Sequence, residues 1–597
     1  MNKRNFIFTA IFCFLFAGNH IVQACTNFLV TKGASKNGST FITYAADSHT
    51  LYGELYYRPA ATYPAGTMVD VIEWDSGKKL GKIKQALSTY SVVGNINEHQ
   101  LAIGETTYGG RHELVDTTGG VDYGSLIYLA LQRAKNAREA IKVMVELVAE
   151  YGYCSSGESF SISDGEEVWI LEMIGKGLPV LDEKGNAVKG WTKGAVWVAM
   201  RIPDGYISGH ANHARITTFP KEDGKKSISS KNLNKIFLPT VEVVYAEDVI
   251  TFARLRPAIA PDSVKKIGYA KAPKLFSGKD EEFSFSDVYA PLTASTARSC
   301  ESRVWSGFRK ANPAQMAKYE DYARGDNLKN RMPLWIKPDR LLGIEDVFDM
   351  MRDHFQGTSM DMTKDKGAGA FECPYRWRPM HWEIDKQMYV HERAISTQQT
   401  GFSFVAQSRS KYPAPVGGII WFGVDDSYTT CYVPIFCGIT KIPNCFKEKN
   451  GDLLTYSETA AFWLFNQVAN FAYTRYNSMI VDIQKVQKEL ESNFITQVDN
   501  LSEKFATEYN KGADKGIAAV NDYSNKAANE MFNRWRQLYH YLLVKYIDGN
   551  IKKEENGKFL YNGTENPQPE FPMQPKYPEW YYRMIIDDAG DNLKIKE

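Results

Sequence analysis

The stretch CTNFLVTKGASKNGSTFITYAADSH, from Cys25 to His49, decides how this chain is read. Thr26 to Thr31 reads as a short strand, Asn37-Gly38-Ser39 as a turn, and Thr40 to Ala45 as the returning strand. Ahead of it lies a leader: Lys3 and Arg4, then the apolar run Phe6 to Gly18, then Val22-Gln23-Ala24 with a small residue at its end. The apolar run is too short to cross a bilayer comfortably. Removing residues 1–24 as a signal peptide would leave Cys25 first in a periplasmic or secreted protein, with no propeptide between. A terminal cysteine joins a nucleophile to a base, because its free α-amine, with a reference pKa of about 8, can take the thiol proton near neutral pH.

The same junction also fits a lipobox, in which Cys25 would carry lipid on sulfur and an acyl group on nitrogen. Lipidation consumes both reactive groups, so the two readings exclude each other. A lipid-anchored chain needs a polar tether after its cysteine, whereas here the cysteine leads straight into a strand. That favours the nucleophile.

Bulk properties narrow the class. A 597-residue chain with 44% hydrophobic and 13% aromatic residues has material for a large core. A net charge of +1 gives no reason to expect nucleic acid or an acidic membrane surface as a partner. No apolar run after residue 24 reaches spanning length, so no integral membrane segment is expected after signal cleavage. Besides Cys25, the residues after the leader hold Cys154, Cys300, Cys373, Cys431, Cys437 and Cys445, a set compatible with disulfides or with buried thiols.

Further along, a hairpin is expected around Asn97 to Gln100, between Ser88 to Gly94 and Leu101 to Thr107. The period then changes over Tyr123 to Tyr151. Asn136 can cap a helix with Glu139 three residues on, ahead of Ile141, Met144, Leu147, Val148 and Tyr151. Strands resume at Ser159 to Ser163 and Glu167 to Ile174 around Asp164-Gly165, and at Ala195 to Ile202 before the turn Pro203-Asp204-Gly205. Hairpins, a helical pair and more hairpins predict an α+β architecture of antiparallel sheets with helices outside. No proline occurs from Asn444 to Asn566, and Ile483, Val486, Leu490, Phe494, Val498, Leu501 and Phe505 make a helical packing stripe. The expected division is residues 25–450 as the hydrolase domain and 451–597 as a mainly helical extension with a Pro-rich tail.

A cysteine opening a strand, followed by a hairpin whose second strand ends in an acid, resembles the N-terminal-nucleophile hydrolases. Cys25 to His49 closely resembles their bacterial cysteine dipeptidase branch (PepD-like). So do NEHQLAIGETTYGG from Asn97, SDGEEVWILEMIGKG from Ser163 and WVAMRIPDGYISGHANHARI from Trp197, with weaker matches at GTSMDMT from Gly357 and ERAISTQQTGFSFVAQSR from Glu392. The resemblance implies a four-layer αββα sandwich, dipeptide substrates and no cofactor; a homo-oligomer is allowed. It places Asp47 beside Cys25 to orient the terminal amine, but Tyr44 stands where those enzymes carry an arginine. Asn212 matches an oxyanion-binding asparagine, while Thr107, after Thr106, falls where another asparagine is usual. Arg298 or Arg303 would complete the site. The same residues suit an acylase of linear amides such as bile salts or penicillin V.

Metal chemistry finds little support in the sequence. His210 and His213 are three apart but no HExxH is present, and Asp361, Thr363, Asp365 and Glu372 echo a calcium loop whose glycine, Gly367, comes one place late. No metal is expected. There is no phosphate loop, GxSxG elbow or dinucleotide fingerprint. Glu166, Glu167 and Glu172 receive no role.

Overall fold

The computed structural model describes residues 25–182, 184–259 and 261–596, so the leader expected over residues 1–24 lies outside the described residues. Strands β1 (Asn27–Val30) and β2 (Thr40–Asp47) form a fully buried antiparallel pair. Thr26 is already bridged to Ala45, so extended pairing starts one residue after Cys25. β2 runs on past the predicted Ala45 to Asp47, which sits beyond a bulge opposite Thr400.

The chain then lays down β3 (Ile96–Asn97), β4 (Ala102–Gly109), α1 (Tyr123–Arg133), α2 (Ala137–Tyr151), β5 (Gly157–Ser163), β6 (Val168–Gly175), β7 (Ala195–Arg201) and β8 (Ile207–His210). Helix α3 (Ser302–Ala311) follows, then β9 (Thr400–Ser408), β10 (Ile419–Val424) and β11 (Val433–Phe436), and the helices α4 (Ala461–Tyr473), α5 (Tyr476–Lys511) and α6 (Ala513–Tyr546). One seven-stranded sheet runs Trp335–Ile336, β8, β1, β2, β9, β10, β11. A nine-stranded sheet runs Ser227–Ser229, Val243–Tyr245, β7, β6, β5, β4, β3, Val92–Val93, Tyr57–Arg58. The pairs on both are antiparallel, except that Ser227–Ser229 and Val243–Tyr245 run parallel.

The two sheets pack face to face, with β1 and β2 over β4 and β5. Asn27 Nδ2 crosses the interface to Ser161 Oγ at 3.1 Å. Close approach needs Gly104, where a Cβ would lie 2.9 Å from Asn27 Nδ2. Strand alternation turns Asn27, and Cys25 two residues earlier, toward this interface, and Phe28 away from it toward α3. There Gly307 receives the Phe28 ring, since a Cβ would lie 2.1 Å from Phe28 Cζ. Phe28, Leu29 and Val30 are all fully buried, each contributing about 1.5–3 kcal/mol, so the strand beneath Cys25 is firmly held.

Helices α1 and α2 cover the nine-stranded sheet, while α5 and α6 pack on β11 and α4 on β10. Asn136 caps α2 by accepting from Glu139 N at 3.0 Å, whereas the Glu139 carboxylate accepts from Lys135 N, so only half of the capping box forms. The α5 stripe is buried, with Leu501 partly so. Glu491 on α5 pairs with Arg352 at 2.5 Å and accepts from Tyr432 N at 2.8 Å, tying the helix to the sheet. Among the described residues no helix is long and apolar enough to cross a membrane.

Two expectations need correction. Pro203-Asp204-Gly205 turns no hairpin, because β7 lies in one sheet and β8 in the other. The end of β1 captures the turn: Gly205 N and Tyr206 N donate to Thr31 Oγ1, and Gly33 N donates to Asp204 Oδ1. Ser88 to Gly94 is not one arm either. The chain reverses at Gly94, whose φ of 53° suits a turn, and Val92–Val93 pairs with β3 while Ser88–Thr89 pairs with Ala61–Thr62. The seven cysteines of the described residues are all unbridged.

Candidate active site

Cys25 is 1% exposed, at the head of β1 and between the sheets. Its sulfur lies 3.6 Å from Glu105 Oε1 and 3.8 Å from the Tyr44 hydroxyl, which itself donates to Glu105 Oε1 at 2.5 Å. Burial pushes the thiol well above its ordinary range, and the Glu105 and Asp47 charges push it further; the Asp47 backbone N–H and the Tyr44 hydroxyl oppose this weakly. The thiol is therefore protonated at neutral pH and needs a base. In the unprocessed chain the Cys25 nitrogen is an amide, so the amine exists only after cleavage.

Asp47 ends β2 and is 1% exposed. Thr400 Oγ1 on β9 donates to its Oδ1 at 2.7 Å, and Arg393 Nη2 stands 3.5 Å from Oδ2. Burial raises its carboxyl to about 7, against the pull of Arg393, Thr400, Arg303 and Arg378. The Asp47 side of the site is thus rich in guanidinium groups.

Because β8 lies beside β1, the chain leaving it carries Asn212 to the Cys25 end of the sheet. Asn212 has a φ of 55°, a left-handed conformation that asparagine tolerates. Its Nδ2 donates to Thr107 O at 2.6 Å and its Oδ1 accepts from Arg303 Nη2 at 2.8 Å. Arg303, fully buried in the first turn of α3, also donates through Nη1 to Cys25 O and Thr26 Oγ1, both at 2.8 Å. One guanidinium joins the Cys25 backbone to Asn212. A π-helical turn, Ala297–Glu301, precedes α3; such turns recur at functional sites because they re-aim the side chains after them.

The other arginine expected from the sequence, Arg298, turns away to an ion pair with Glu392. Both threonine hydroxyls are engaged within the fold. Thr106 Oγ1 meets His210 Nδ1 at 2.7 Å, and Thr107 Oγ1 donates to Glu158 Oε1 at 2.8 Å. Adjacent strand residues face opposite sides, so the two hydroxyls cannot serve one oxyanion. His210 is held at its other nitrogen by Ser161 Oγ at 2.8 Å, and burial lowers it to about 3, leaving a neutral ring. His213 lies against Glu301 and Ala290 O, so the two histidines do not share a ligand position. In the loop weighed for calcium, Asp361 accepts from Thr363 and Gly357 N–H, and Asp365 pairs with Arg376.

Several residues at the site went unassigned from sequence. Glu105 and Arg393 lie inside segments that carry the family resemblance, but nothing in a strand pattern marks them. Glu158 on β5 is fully buried, and burial and then the Glu105 charge raise its carboxyl well above the usual range. Asp75, which accepts from the Tyr123 hydroxyl at 2.8 Å, adds to the same negative field. Glu172 accepts from Arg215 N and Ile216 N at 2.5 and 3.0 Å, fixing the loop that presents Asn212.

The sequence profile of peptidase family C69 matches residues 24–489, starting at the residue before the buried cysteine. The chain belongs to peptidase family C69. As a C69 member it is a cysteine-type peptide hydrolase. Relatives include a protein named "Probable dipeptidase" from Latilactobacillus sakei, 23% identical over 81% of this chain and 88% of its own length. One from Lactococcus lactis subsp. lactis, named "Probable dipeptidase B", is 22% identical over 80% of this chain and 90% of its own. A "Probable dipeptidase" from Salmonella dublin is 21% identical over 70% and 82%. The family match of this C69 peptidase spans both sheets and reaches the first part of α5.

Proposed function

We propose that this C69 peptidase is an exported dipeptidase that acts through a thioester on Cys25, once residues 1–24 have been removed. The observation that carries the mechanism is the surroundings of the sulfur. Among the described residues its polar contacts are Tyr44, Glu105 and the Asp47 backbone N–H, and no imidazole reaches it, since His210 is engaged at both ring nitrogens. A buried, protonated thiol without a histidine calls for its own α-amine as the base.

The amine of Cys25 takes the thiol proton, and the sulfur attacks the peptide carbonyl carbon. Asn212 is the side chain best suited to donate to the resulting oxyanion, and Arg303 holds it in place. Collapse expels the leaving amine with the proton returned from the Cys25 ammonium and leaves a thioester. The same amine then deprotonates a water, whose oxygen attacks the thioester, releasing the amino acid and restoring the thiol. Asp47 orients the ammonium. The relatives' names support dipeptides as substrates. The two facing sheets with helices outside each support the finer reading of a four-layer αββα sandwich. A sulfur 1% exposed at the head of a core strand does not suit a membrane lipid.

The test is intact mass and N-terminal sequencing of the exported protein, with activity on alanylalanine. A chain beginning at an unmodified Cys25, active as wild type and inactive as Cys25→Ala, is expected. A lipidated Cys25, a different first residue, or full activity in a form that retains Ala24 would overturn it. Turnover of a bile salt or penicillin V in preference to dipeptides would move the function to amide acylation.

A further inference from the structure

Glu105 and Glu158 form a buried acidic pair with no cation of its own. Glu105 Oε1 receives the Tyr44 hydroxyl and Glu158 Oε1 receives the Thr107 hydroxyl. Their second oxygens, Glu105 Oε2 and Glu158 Oε2, are fully buried and receive no donor from elsewhere in the fold; the two carboxyls hydrogen-bond each other, which requires a proton on one of them. Asp75 adds a third charge from its loop, and Tyr123 from α1 contributes a hydroxyl. Among the described residues no lysine, arginine or histidine forms an ion pair with Glu105 or Glu158. Such a cluster is unfavourable unless it holds a proton or receives a cation.

Its position says which cation fits. The attacked carbonyl carbon must sit about 3–3.5 Å from the sulfur. In any amino acid the α-nitrogen lies about 2.5 Å from that carbon. Glu105 Oε1 is 3.6 Å from Cys25 Sγ. An α-ammonium hydrogen-bonded to Oε1 at about 2.8 Å therefore places its own carbonyl carbon within reach of the sulfur. Side-chain cations vary in length and cannot keep this register, whereas the α-ammonium is the same in every residue. β3 pairs with β4 only at Ala102, so no further strand closes β4 on that side at Glu105 among the described residues. Positive charge gathers instead around Asp47, in Arg303, Arg378 and Arg393.

We propose that Glu105 and Glu158 bind the free α-ammonium of the substrate's first residue, making an unblocked N-terminus the feature this enzyme reads. The proposal rests on the dipeptidase reading above and adds the residues that set its specificity. Binding displaces the proton that burial and mutual repulsion keep on the pair, and the ammonium donates to Glu105 and Glu158 in its place. The same pair rejects an N-acyl group, which has no charge to offer and cannot replace the proton the two carboxyls share.

The experiment compares kcat/KM of the mature enzyme for alanylalanine, its N-acetyl derivative and the desamino analogue propionyl-alanine. Wild type is expected to prefer the free amine by about 100-fold or more over both analogues. Glu158→Gln, which does not touch the sulfur, is expected to lose at least about 10-fold on alanylalanine, mainly through KM, and less than about 3-fold on the N-acetyl substrate. Wild-type cleavage of the N-acetyl substrate within about 5-fold of alanylalanine overturns the proposal, and this comparison stands even if Glu158→Gln does not fold. An equal loss on both substrates in folded Glu158→Gln also overturns it and assigns the pair to positioning the Cys25 amine. Failure of wild type to cleave any of the three removes the dipeptidase reading itself, and this one with it.

Discussion

Replacing Arg303 by lysine keeps the charge and removes the fork. The guanidinium makes five hydrogen bonds: to Cys25 O, Thr26 Oγ1 and Asn212 Oδ1 at 2.8 Å, to Ser299 O at 2.9 Å and to Ala211 O at 3.3 Å. A lysine ammonium has three donors on a single atom and cannot bridge Cys25 and Asn212 together. Leaving two buried acceptors without a charged donor, at about 1.5–3 kcal/mol each, destabilises the fold by about 3–6 kcal/mol. On the proposed mechanism, releasing Asn212 removes one oxyanion donor from its working position, which lowers kcat by about 100-fold to 1000-fold. The assay is kcat and KM on alanylalanine, with thermal unfolding recorded on the same samples. Arg298→Ala is the control, because a partly exposed ion pair is worth about 0–1 kcal/mol and kcat should stay within about 3-fold. A folded Arg303→Lys enzyme with near wild-type kcat would refute the reasoning, and so would an Arg298→Ala loss of equal size.

Two other outcomes can be measured by thermal unfolding. Asp425 is buried beside Asp426, and burial and then the Asp426 charge raise its carboxyl to about 8. The folded state therefore binds a proton that the unfolded chain releases near pH 4, and stability from this group is lost as pH rises through about 8. Asp425→Asn, tolerated at its φ of 63°, should be more stable than wild type at pH 8, by a few kcal/mol at most, with the gap closing by pH 4–5. A gap that stays constant or widens on acidification contradicts the assignment. Gly307→Ala puts a methyl 2.1 Å from Phe28 Cζ in a fully buried contact, and overpacking of this kind costs about 1–3 kcal/mol. Its melting temperature should fall and partly recover in the Gly307→Ala, Phe28→Leu double variant; an unchanged melting temperature would show that α3 does not seat against β1 as described.

Local chemistry made much of the fold legible. Strand-like runs on either side of the Asn37-Gly38-Ser39 turn set β1 and β2, and the Asp164-Gly165 turn joined β5 to β6. The Asn136 cap began α2, and the spacing of three and four along Ile483 to Phe505 laid out α5. Each of these rests on groups a few residues apart, so the chain carries the signal whatever it packs against. Cys25 before a strand and Asp47 at the end of the next belong to the same class.

What tertiary structure alone decided lies across larger separations. Pro203-Asp204-Gly205 has the composition of a hairpin turn, yet Thr31 and Gly33 capture it and send β8 to the other sheet, which is how Asn212 comes to Cys25. Arg298 and Arg303 look equivalent in sequence, but one lies in the π-helical turn and points at Glu392, while the other lies in α3 after it and points at Cys25. Glu105 and Glu158 sit in strands as unremarked polar residues, and only the pairing of β4 with β5 brings them together, with Glu105 beside the sulfur. Strand, turn and cap preferences act through neighbouring backbone groups, whereas a side chain's charge environment is set by whatever packing brings within a few ångströms of it.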